Sequence, residues 1–220
     1  MRKYTDLKNI TLQASKQHNV FIVLIIAISI LFLAFSTTAI SNPSNDVFSK
    51  RLVKAAIDRT KHFVRYDGAY KRIAYPMGDV SPGKGVCTDV IIRSYRKIGI
   101  DLQKNVHVHM RKNFSRYPKI WGLKRTDTNI DHRRVPNLQV FFRAKGTSLG
   151  VSKKASDYKP GDLVTWMLPG NLPHIGIVVN KKSRDKKRYL IVHNIGLGPK
   201  MDDMLFQYRI TGHYRYTGNK

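Results

Sequence analysis

The sequence predicts an α+β fold in which amino-terminal helices pack on an antiparallel sheet. Three observations support this fold class: apolar residues recur near helical spacing in the first half, short β-rich runs follow after residue 160, and there is no internal repeat. Helices followed by a meander of strands are typical of α+β domains. The length is enough for one core, so we expect residues 42–220 to form a single domain with its core at about residues 73–216.

An uncharged apolar segment lies near the amino terminus. No charged residue occurs from Val20 to Ile40, and basic residues precede this stretch. Its densest apolar part, residues 20–35, is shorter than the ~20 residues that span a bilayer, and Ala39 offers a small residue for cleavage. Residues 1–41 are therefore interpreted as a signal peptide or an uncleaved membrane anchor. Because positive flanks stay cytoplasmic, we expect export to the periplasm or cell envelope, with inner-membrane attachment if the segment is retained.

Three helices are predicted in the remaining chain. The first runs from Ser44 to about Tyr66, where apolar residues recur near helical spacing and a following Asp-Gly pair ends the pattern. The second begins at Cys87 and runs to about Ile98, before a glycine. The third runs from Pro136 to Ala144, since proline suits a first helical turn. The rest of residues 101–157 is predicted to be irregular and strongly basic.

Four strands are predicted from runs rich in β-branched and aromatic residues, with turn residues between them. They are Leu163–Met167, His174–Val179, Tyr189–His193 and Arg209–Tyr216. The last of these is expected to lie at the sheet edge.

The composition limits the partners. Forty Lys and Arg face 14 Asp and Glu, which gives a net charge of +26. Such an excess favours anionic surroundings, such as a cell-wall polymer, anionic lipid or a phosphate backbone. A single cysteine excludes an intramolecular disulfide framework and a multi-cysteine zinc site.

Cys87 occupies a position that suits a nucleophile. It follows a Gly/Pro-rich loop and opens a helix, on the face that also carries Val90 and Ile91. Free amides and the positive end of the helix dipole lower a thiol pKa, and the thiolate is the attacking species. We therefore expect Cys87 to be partly ionised at neutral pH, and its own amide to be available to an oxyanion.

Two histidines are predicted to lie near each other at the sheet rim. His174 begins one strand and His193 ends the next. In an antiparallel pair these ends adjoin, about 4.8 Å apart, so His193 can hold the tautomer of His174, which would act as the base. Asn194 would point to the opposite face, and it ranks below His193 as the orienting group.

At these residues the chain resembles the NlpC-type papain-like cysteine peptidases. The resemblance lies in a tyrosine upstream, a cysteine opening a helix, a Pro-Gly-Asp entry to a strand and a His-Ile-Gly-Ile strand. These features are Tyr75, Gly85-Val-Cys87-Thr-Asp-Val, Pro160-Gly-Asp162 and His174-Ile-Gly-Ile-Val. From about Ile73 to Tyr216 the chain is still more similar to the YijF-like domain family, exported bacterial proteins of unassigned function. The longer strings behind this are Gly-Val-Cys87-Thr-Asp-Val-Ile-Ile-Arg93, Asn129-Ile-Asp-His-Arg-Arg134 and Gly212-His-Tyr-Arg-Tyr216.

This resemblance implies a papain-like fold and a Cys-His-polar hydrolase. Cys87 matches the nucleophile, His174 the base and His193 the third residue. Tyr75 matches a tyrosine beside the thiol, and with Asn194 it is assigned a supporting role at the oxyanion site. The NlpC enzymes usually have Asp-Cys-Ser-Gly where this chain has Val-Cys-Thr-Asp, so the oxyanion site differs in detail.

A polar segment before the third helix is a candidate for substrate binding. Asp131, His132, Arg133 and Arg134 are consecutive, and guanidinium suits bidentate contact with a carboxylate. A solvated loop held by internal salt bridges is the equal alternative. A His-Val-His sequence at residues 107–109, read as a strand, places two imidazoles on one side, but spacing fixes no third ligand, so we expect neither a metal nor another cofactor.

The sequence thus predicts a monomeric, exported amidase or endopeptidase that cleaves peptidoglycan stem peptides through Cys87, His174 and His193. Its partner would be peptidoglycan or another anionic envelope polymer, and the membrane through residues 20–40 if these are retained. The alternative is a non-catalytic cationic module that binds wall polymer or lipid. Nucleic acid is not an expected partner, because no recognition motif accompanies the charge.

Overall fold

The computed structural model describes residues 43–218, which contain four α-helices and a six-stranded antiparallel sheet. The helices are α1 (Pro43–Arg59), α2 (Cys87–Lys97), α3 (Leu102–Lys112) and α4 (Val135–Lys145). The strands are β1 (Arg65–Tyr66), β2 (Lys84–Gly85), β3 (Thr147–Ser148), β4 (Leu163–Leu168), β5 (Leu172–Lys182), β6 (Tyr189–His193), β7 (Lys200–Asp202) and β8 (Arg209–Arg215). The α+β class is confirmed. The apolar segment that the sequence assigns to a signal or anchor lies outside the described residues.

The sheet has the order β3-β8-β4-β5-β6-β7, while β1 and β2 form a separate parallel pair. Side chains alternate across the strands, so each face has its own core. On one face α2 packs against Ile175 and Ile177 of β5. On the other face Trp166 packs with Met204 and Leu205, which follow β7. Burial on both faces fixes the register, because a slip of one residue would exchange the two faces.

The first helix ends earlier than the sequence pattern predicts. It stops at Arg59, where the Thr60 hydroxyl donates to the carbonyl of Ile57 at 2.8 Å. Phe63, which extended the apolar pattern, is 91% exposed and therefore does not continue the buried face. Tyr66 instead pairs with Gly85 in the β1–β2 ladder.

Helix α3 was predicted to be irregular chain, and this prediction is wrong. Leu102, Val106 and Met110 are buried at four-residue spacing, and the Asp101 carboxylate caps the helix by accepting from the Lys104 amide at 3.2 Å. The His-Val-His sequence at residues 107–109 therefore lies on a helix, where two positions differ by about 200° and point apart. Among residues 43–218 no group of three His, Cys, Asp or Glu is arranged to hold a metal.

The strand predictions hold, with small changes at their ends. Strand β6 has the predicted bounds, and β5 is longer than predicted at both ends. Strand β8 is not at the edge, because it pairs with β4 on one side and β3 on the other. Its Tyr214 is accordingly buried. Within the part of the chain that the structure describes, no helix is long and apolar enough to cross a membrane.

Candidate active site

The predicted neighbours His174 and His193 are hydrogen-bonded. Nε2 of His174 lies 3.1 Å from Nδ1 of His193, and both rings are buried. The register pairs Ile177 with Val192, so Gly176 lies opposite His193. His174 lies two residues before Gly176, toward the start of β5. A Cβ at Gly176 would come within 2.5 Å of Ile191 Cγ2 and 3.2 Å of His193 Cβ. Glycine is thus required here for the two strands to approach with both imidazoles in place.

A carboxylate that the sequence analysis missed extends this chain. His193 Nε2 lies 3.2 Å from Oδ2 of Asp202, on the neighbouring strand β7. Lys200 also contacts that carboxylate oxygen, at 2.7 Å. Burial opposes ionisation of Asp202, but Lys200 and His193 together lower its pKa. An ionised Asp202 only accepts hydrogen bonds, so Nε2 of His193 carries the proton.

The hydrogen bonds then assign the proton on His174. Burial lowers the pKa of His193, against the opposing effect of Asp202, and a neutral His193 that donates from Nε2 accepts at Nδ1. His174 must therefore donate from Nε2. Burial, with a smaller contribution from His193, lowers the pKa of His174 to about 3. The neutral ring has its lone pair on Nδ1, which makes that atom the free base of the chain.

Cys87 lies beside the same end of β5. Its side chain is 4% exposed and belongs to the core cluster that includes Ile175. The backbone amide of Ile175, the residue after His174, is near enough to lower the pKa of the thiol. In the part of the chain that the structure describes, no direct hydrogen bond joins the thiol to an imidazole. The structure thus brings the helix that carries Cys87 to the strand that carries His174.

The electrostatics of the thiol differ from the sequence prediction. Burial raises the pKa of Cys87 to about 12, and the nearby Asp89 carboxylate adds to this effect. Hydrogen bonds from the amides of Ile175, Thr88 and Cys87 lower the pKa, but by less. The prediction of a partly ionised thiol at neutral pH is therefore wrong, because burial keeps the thiol protonated. The resting pair is a neutral thiol and a neutral imidazole.

Arg133 does not lie open to a substrate. Its Nε and Nη2 donate to the two carboxylate oxygens of Asp89, each at 2.9 Å, and its side chain is 98% buried. Asp89 in turn accepts from the Val86 amide at 2.7 Å, which fixes the entry to α2. Arg133 also donates to the backbone carbonyl of Asp67 at 3.2 Å. The predicted substrate-binding role is corrected to one of positioning the helix that carries Cys87.

The neighbouring predicted substrate residues are mostly buried as well. Asp131 and His132 are 1% and 2% exposed, so neither is placed to contact a ligand. Burial raises the pKa of Asp131 to about 6 and lowers that of His132 to about 4. Arg134 is partly exposed, and its guanidinium lies 4.1 Å from the centre of the Trp121 ring. Of these four candidate substrate-binding residues, only Arg134 is partly exposed to solvent.

The structure associates a different tyrosine with the thiol. Tyr75 packs edge-on against His107 of α3, with ring centres 5.2 Å apart. Tyr66 is near enough to Cys87 for the thiol to affect its ionisation: burial raises the pKa of Tyr66 to about 12, and Cys87 contributes to the increase. Tyr66, which pairs with Gly85 in the β1–β2 ladder, is therefore a second candidate for the role that the resemblance gives to Tyr75.

Asn194 lies against the first turn of α2. It lines a narrow cavity of about 10 Å³ with Val86 and Val90. Its Oδ1 accepts from the Gly196 amide at 3.0 Å, while its Nδ2 is buried without a partner among the described residues. As predicted, it does not take the orienting position that His193 occupies.

Comparisons with known proteins identify the family of this chain. The chain matches the model of the domain of unknown function DUF1287 over residues 53–216. The chain belongs to the DUF1287 family. It is also 51% identical over 151 residues to "Uncharacterized protein YijF" of Escherichia coli (strain K12), covering 69% of this chain and 73% of that protein. The DUF1287 match includes every residue of the site described above, and the YijF-like resemblance in the sequence is confirmed.

Proposed function

We propose that this protein is a papain-like cysteine hydrolase that cleaves an amide bond, with Cys87 as nucleophile and His174 as base. The observation that carries this proposal is the hydrogen-bonded chain from His174 through His193 to Asp202. It leaves the lone pair of His174 Nδ1 without a protein partner among the described residues. His174 lies near the start of β5, and the amide of the next residue, Ile175, is near enough to Cys87 to lower the pKa of its thiol. A nucleophile, a base and an orienting acceptor are the parts that covalent amide hydrolysis requires.

The neutral resting pair defines the order of proton transfers. As Cys87 attacks the substrate carbonyl carbon, its proton passes to Nδ1 of His174 and the carbonyl becomes an oxyanion. The amides of Cys87 and Thr88 at the first turn of α2, which lie beside the sulfur, are available to stabilise that charge. The imidazolium then protonates the leaving amine, and a thioester forms. Water, deprotonated by His174, attacks the thioester and releases the carboxylic acid and the free thiol.

The substrate class that we propose is the peptidoglycan stem peptide. The expected export of the chain and its net charge of +26 favour encounter with an anionic envelope polymer. Two exposed apolar side chains, Leu172 at the start of β5 and Leu197 in the loop after β6, offer a rim that a peptide can contact. This assignment extends the proposal from a reaction type to a substrate.

The test is turnover of defined peptidoglycan fragments, with products identified by mass spectrometry. We expect the parent chain to release one new amine and one new carboxylate per bond cleaved. Cys87→Ala and His174→Gln should abolish turnover, and His62→Gln, an exposed histidine outside the site, should retain it. Turnover that survives Cys87→Ala would exclude this mechanism. Salt-sensitive binding to the polymer without turnover would favour the non-catalytic cationic module.

A further inference from the structure

A second surface lies far from Cys87 and His174. A groove of about 780 Å³ runs between α1, the end of α2 and the end of β5. Lys97 is ten residues along α2 from Cys87, which is about 15 Å of helix. Lys181 is seven residues along β5 from His174, which is about 23 Å of strand. The groove is therefore distinct from the candidate active site.

The groove combines an apolar floor with a cationic rim. Val53, Ala55 and Ile57 of α1 and Ile98 after α2 are its apolar lining residues. Its charged lining residues are six cations and one carboxylate: Lys50, Arg51, Lys54, Lys61, Lys97, Lys181 and Asp58.

Three of the six cations are available to a ligand. Lys50 pairs with Asp46 at 2.6 Å, and Lys61 lies 3.9 Å from Asp58. Arg51 donates a hydrogen bond to the Ile98 carbonyl at 3.4 Å. The side chains of Lys54, Lys97 and Lys181 are exposed, and no carboxylate lies within salt-bridge distance of them in the described residues. The rim therefore keeps an uncompensated positive charge around an apolar surface.

We propose that this groove binds an anionic membrane lipid, with the headgroup phosphate on the lysine rim and the first acyl carbons on the apolar floor. A wall polymer or a nucleic acid would use the rim but would leave the floor exposed to water. The chain's own amino-terminal segment brings further cations, Arg2, Lys3, Lys8 and Lys16, and does not neutralise the rim. An amphiphile with a negative head matches both parts.

The position of the groove in the chain supports the same ligand. Helix α1 begins three residues after Ile40, the last residue of the uncharged apolar segment, and three residues span at most about 11 Å. Lys50 lies about 10 Å further along α1. If residues 20–40 are retained as the membrane anchor that the sequence analysis allows, basic residues that follow them so closely are within reach of anionic headgroups.

The experiment places a reporter in the groove of the full chain. An environment-sensitive dye on Asn180→Cys, in a Cys87→Ala background, reports occupancy independently of the amino-terminal segment. Protein in neutral detergent micelles is titrated with short-chain phosphatidylglycerol, and separately with the phosphatidylcholine of equal chain length. We expect saturable change with the anionic lipid and little with the zwitterionic lipid.

Matched variants distinguish lipid binding in the groove from general electrostatic attraction to the cationic surface. Lys54→Gln, Lys97→Gln and Lys181→Gln combined should raise the half-saturating phosphatidylglycerol concentration by about tenfold or more. The control replaces Lys153, Lys154 and Lys187, which are exposed and do not line the groove, and should stay within about twofold of the parent. An equal loss of phosphatidylglycerol affinity in the two triple variants would overturn the proposal.

A third variant separates lipid from other anions. Inorganic polyphosphate, which has negative charge but no acyl chain, should change the dye signal only weakly. Ile98→Gln should weaken phosphatidylglycerol binding and leave that weak response to polyphosphate unchanged. If polyphosphate saturates the dye response as well as the lipid does, the groove is a polyanion site and the lipid assignment is wrong.

Discussion

Two histidine clusters lie on the same sheet, and they differ in how their ring nitrogens are used. His213 of β8 contacts the Asp162 carboxylate through Nε2 at 2.8 Å and the Gly150 carbonyl through Nδ1 at 3.2 Å. Arg215 also contacts Asp162, at 2.7 Å, and the Tyr158 ring stacks on the imidazole with centres 4.3 Å apart. Both ring nitrogens of His213 therefore lie within hydrogen-bond distance of a polar partner, as is usual for buried polar groups.

The cluster at the ends of β5 and β6 leaves one group unused. His174 uses Nε2 on His193, and no protein partner for its Nδ1 occurs among the described residues. His213 therefore serves to join β8 to the turn before β4, whereas His174 retains a lone pair for chemistry. Burial alone does not separate these roles, since both rings are about 98% buried. The number of engaged ring nitrogens does.

The largest expected effect tests this division directly. His174→Gln should lower kcat on a peptidoglycan fragment by about 10³-fold or more, because it removes the general base. Its free energy of unfolding at pH 7 should change little. His213→Gln should instead reduce that free energy by roughly 2–4 kcal/mol, since Asp162 and Arg215 lose a buried partner. Urea denaturation and steady-state kinetics of both variants provide the measurement, and a reversed pattern would contradict the comparison.

Asp202→Asn gives the next largest effect. The amide can donate to His193 Nε2 and favour the wrong tautomer, which then turns the proton of His174 away from Nε2. We expect kcat to fall by about 10- to 100-fold, less than for a fully buried carboxylate, because Asp202 is partly exposed and shared with Lys200. Asp185→Asn, at an exposed turn, is the matched control. Equal kcat values for the two variants would exclude an orienting role for Asp202.

Some contacts of this candidate site could be predicted from the sequence, and others could not. His174 and His193 were placed together because antiparallel strands bring a start beside an end, and their alternating patterns were clear. Asp202 was missed because β7 has only three residues, Lys-Met-Asp, with no strand pattern. The Arg133–Asp89 pair spans 44 residues of chain, and the Tyr66 position depends on a two-residue parallel pair. Such contacts are decided by tertiary packing, which local periodicity does not contain.

A third effect is the loss of stability in acid. The pKa values of His174 and His132 fall to about 3 and 4 in the folded chain, whereas unfolded histidine titrates near 6.5. Between these pH values the unfolded state binds more protons than the folded state. The contribution of the two neutral histidines to the free energy of unfolding is therefore complete above pH 6.5 and is lost as the pH falls toward 3. Asp131, with its pKa raised to about 6, acts oppositely between about pH 6 and 4.

The measurement is urea denaturation at pH 7, 5.5 and 4.5. Each neutral buried histidine contributes a slope of at most about 1.4 kcal/mol per pH unit. His174→Gln should reduce the total slope by roughly that amount, and His62→Gln should leave it unchanged. An unchanged slope in His174→Gln would mean that His174 is not held neutral by burial.

The smallest expected effect distinguishes the two tyrosines. Tyr66→Phe should lower kcat several-fold, since its ring lies near the Cys87 thiol and its hydroxyl can donate to a group bound there. Tyr75→Phe should leave kcat within about twofold, because that ring packs on His107 and its contact needs no hydroxyl. The two substitutions remove the same atom from partly exposed side chains, so each is the control for the other. A larger loss in Tyr75→Phe would restore the position that the sequence resemblance first indicated, and would place the loop around residue 75 closer to the thiol during turnover than in the resting chain.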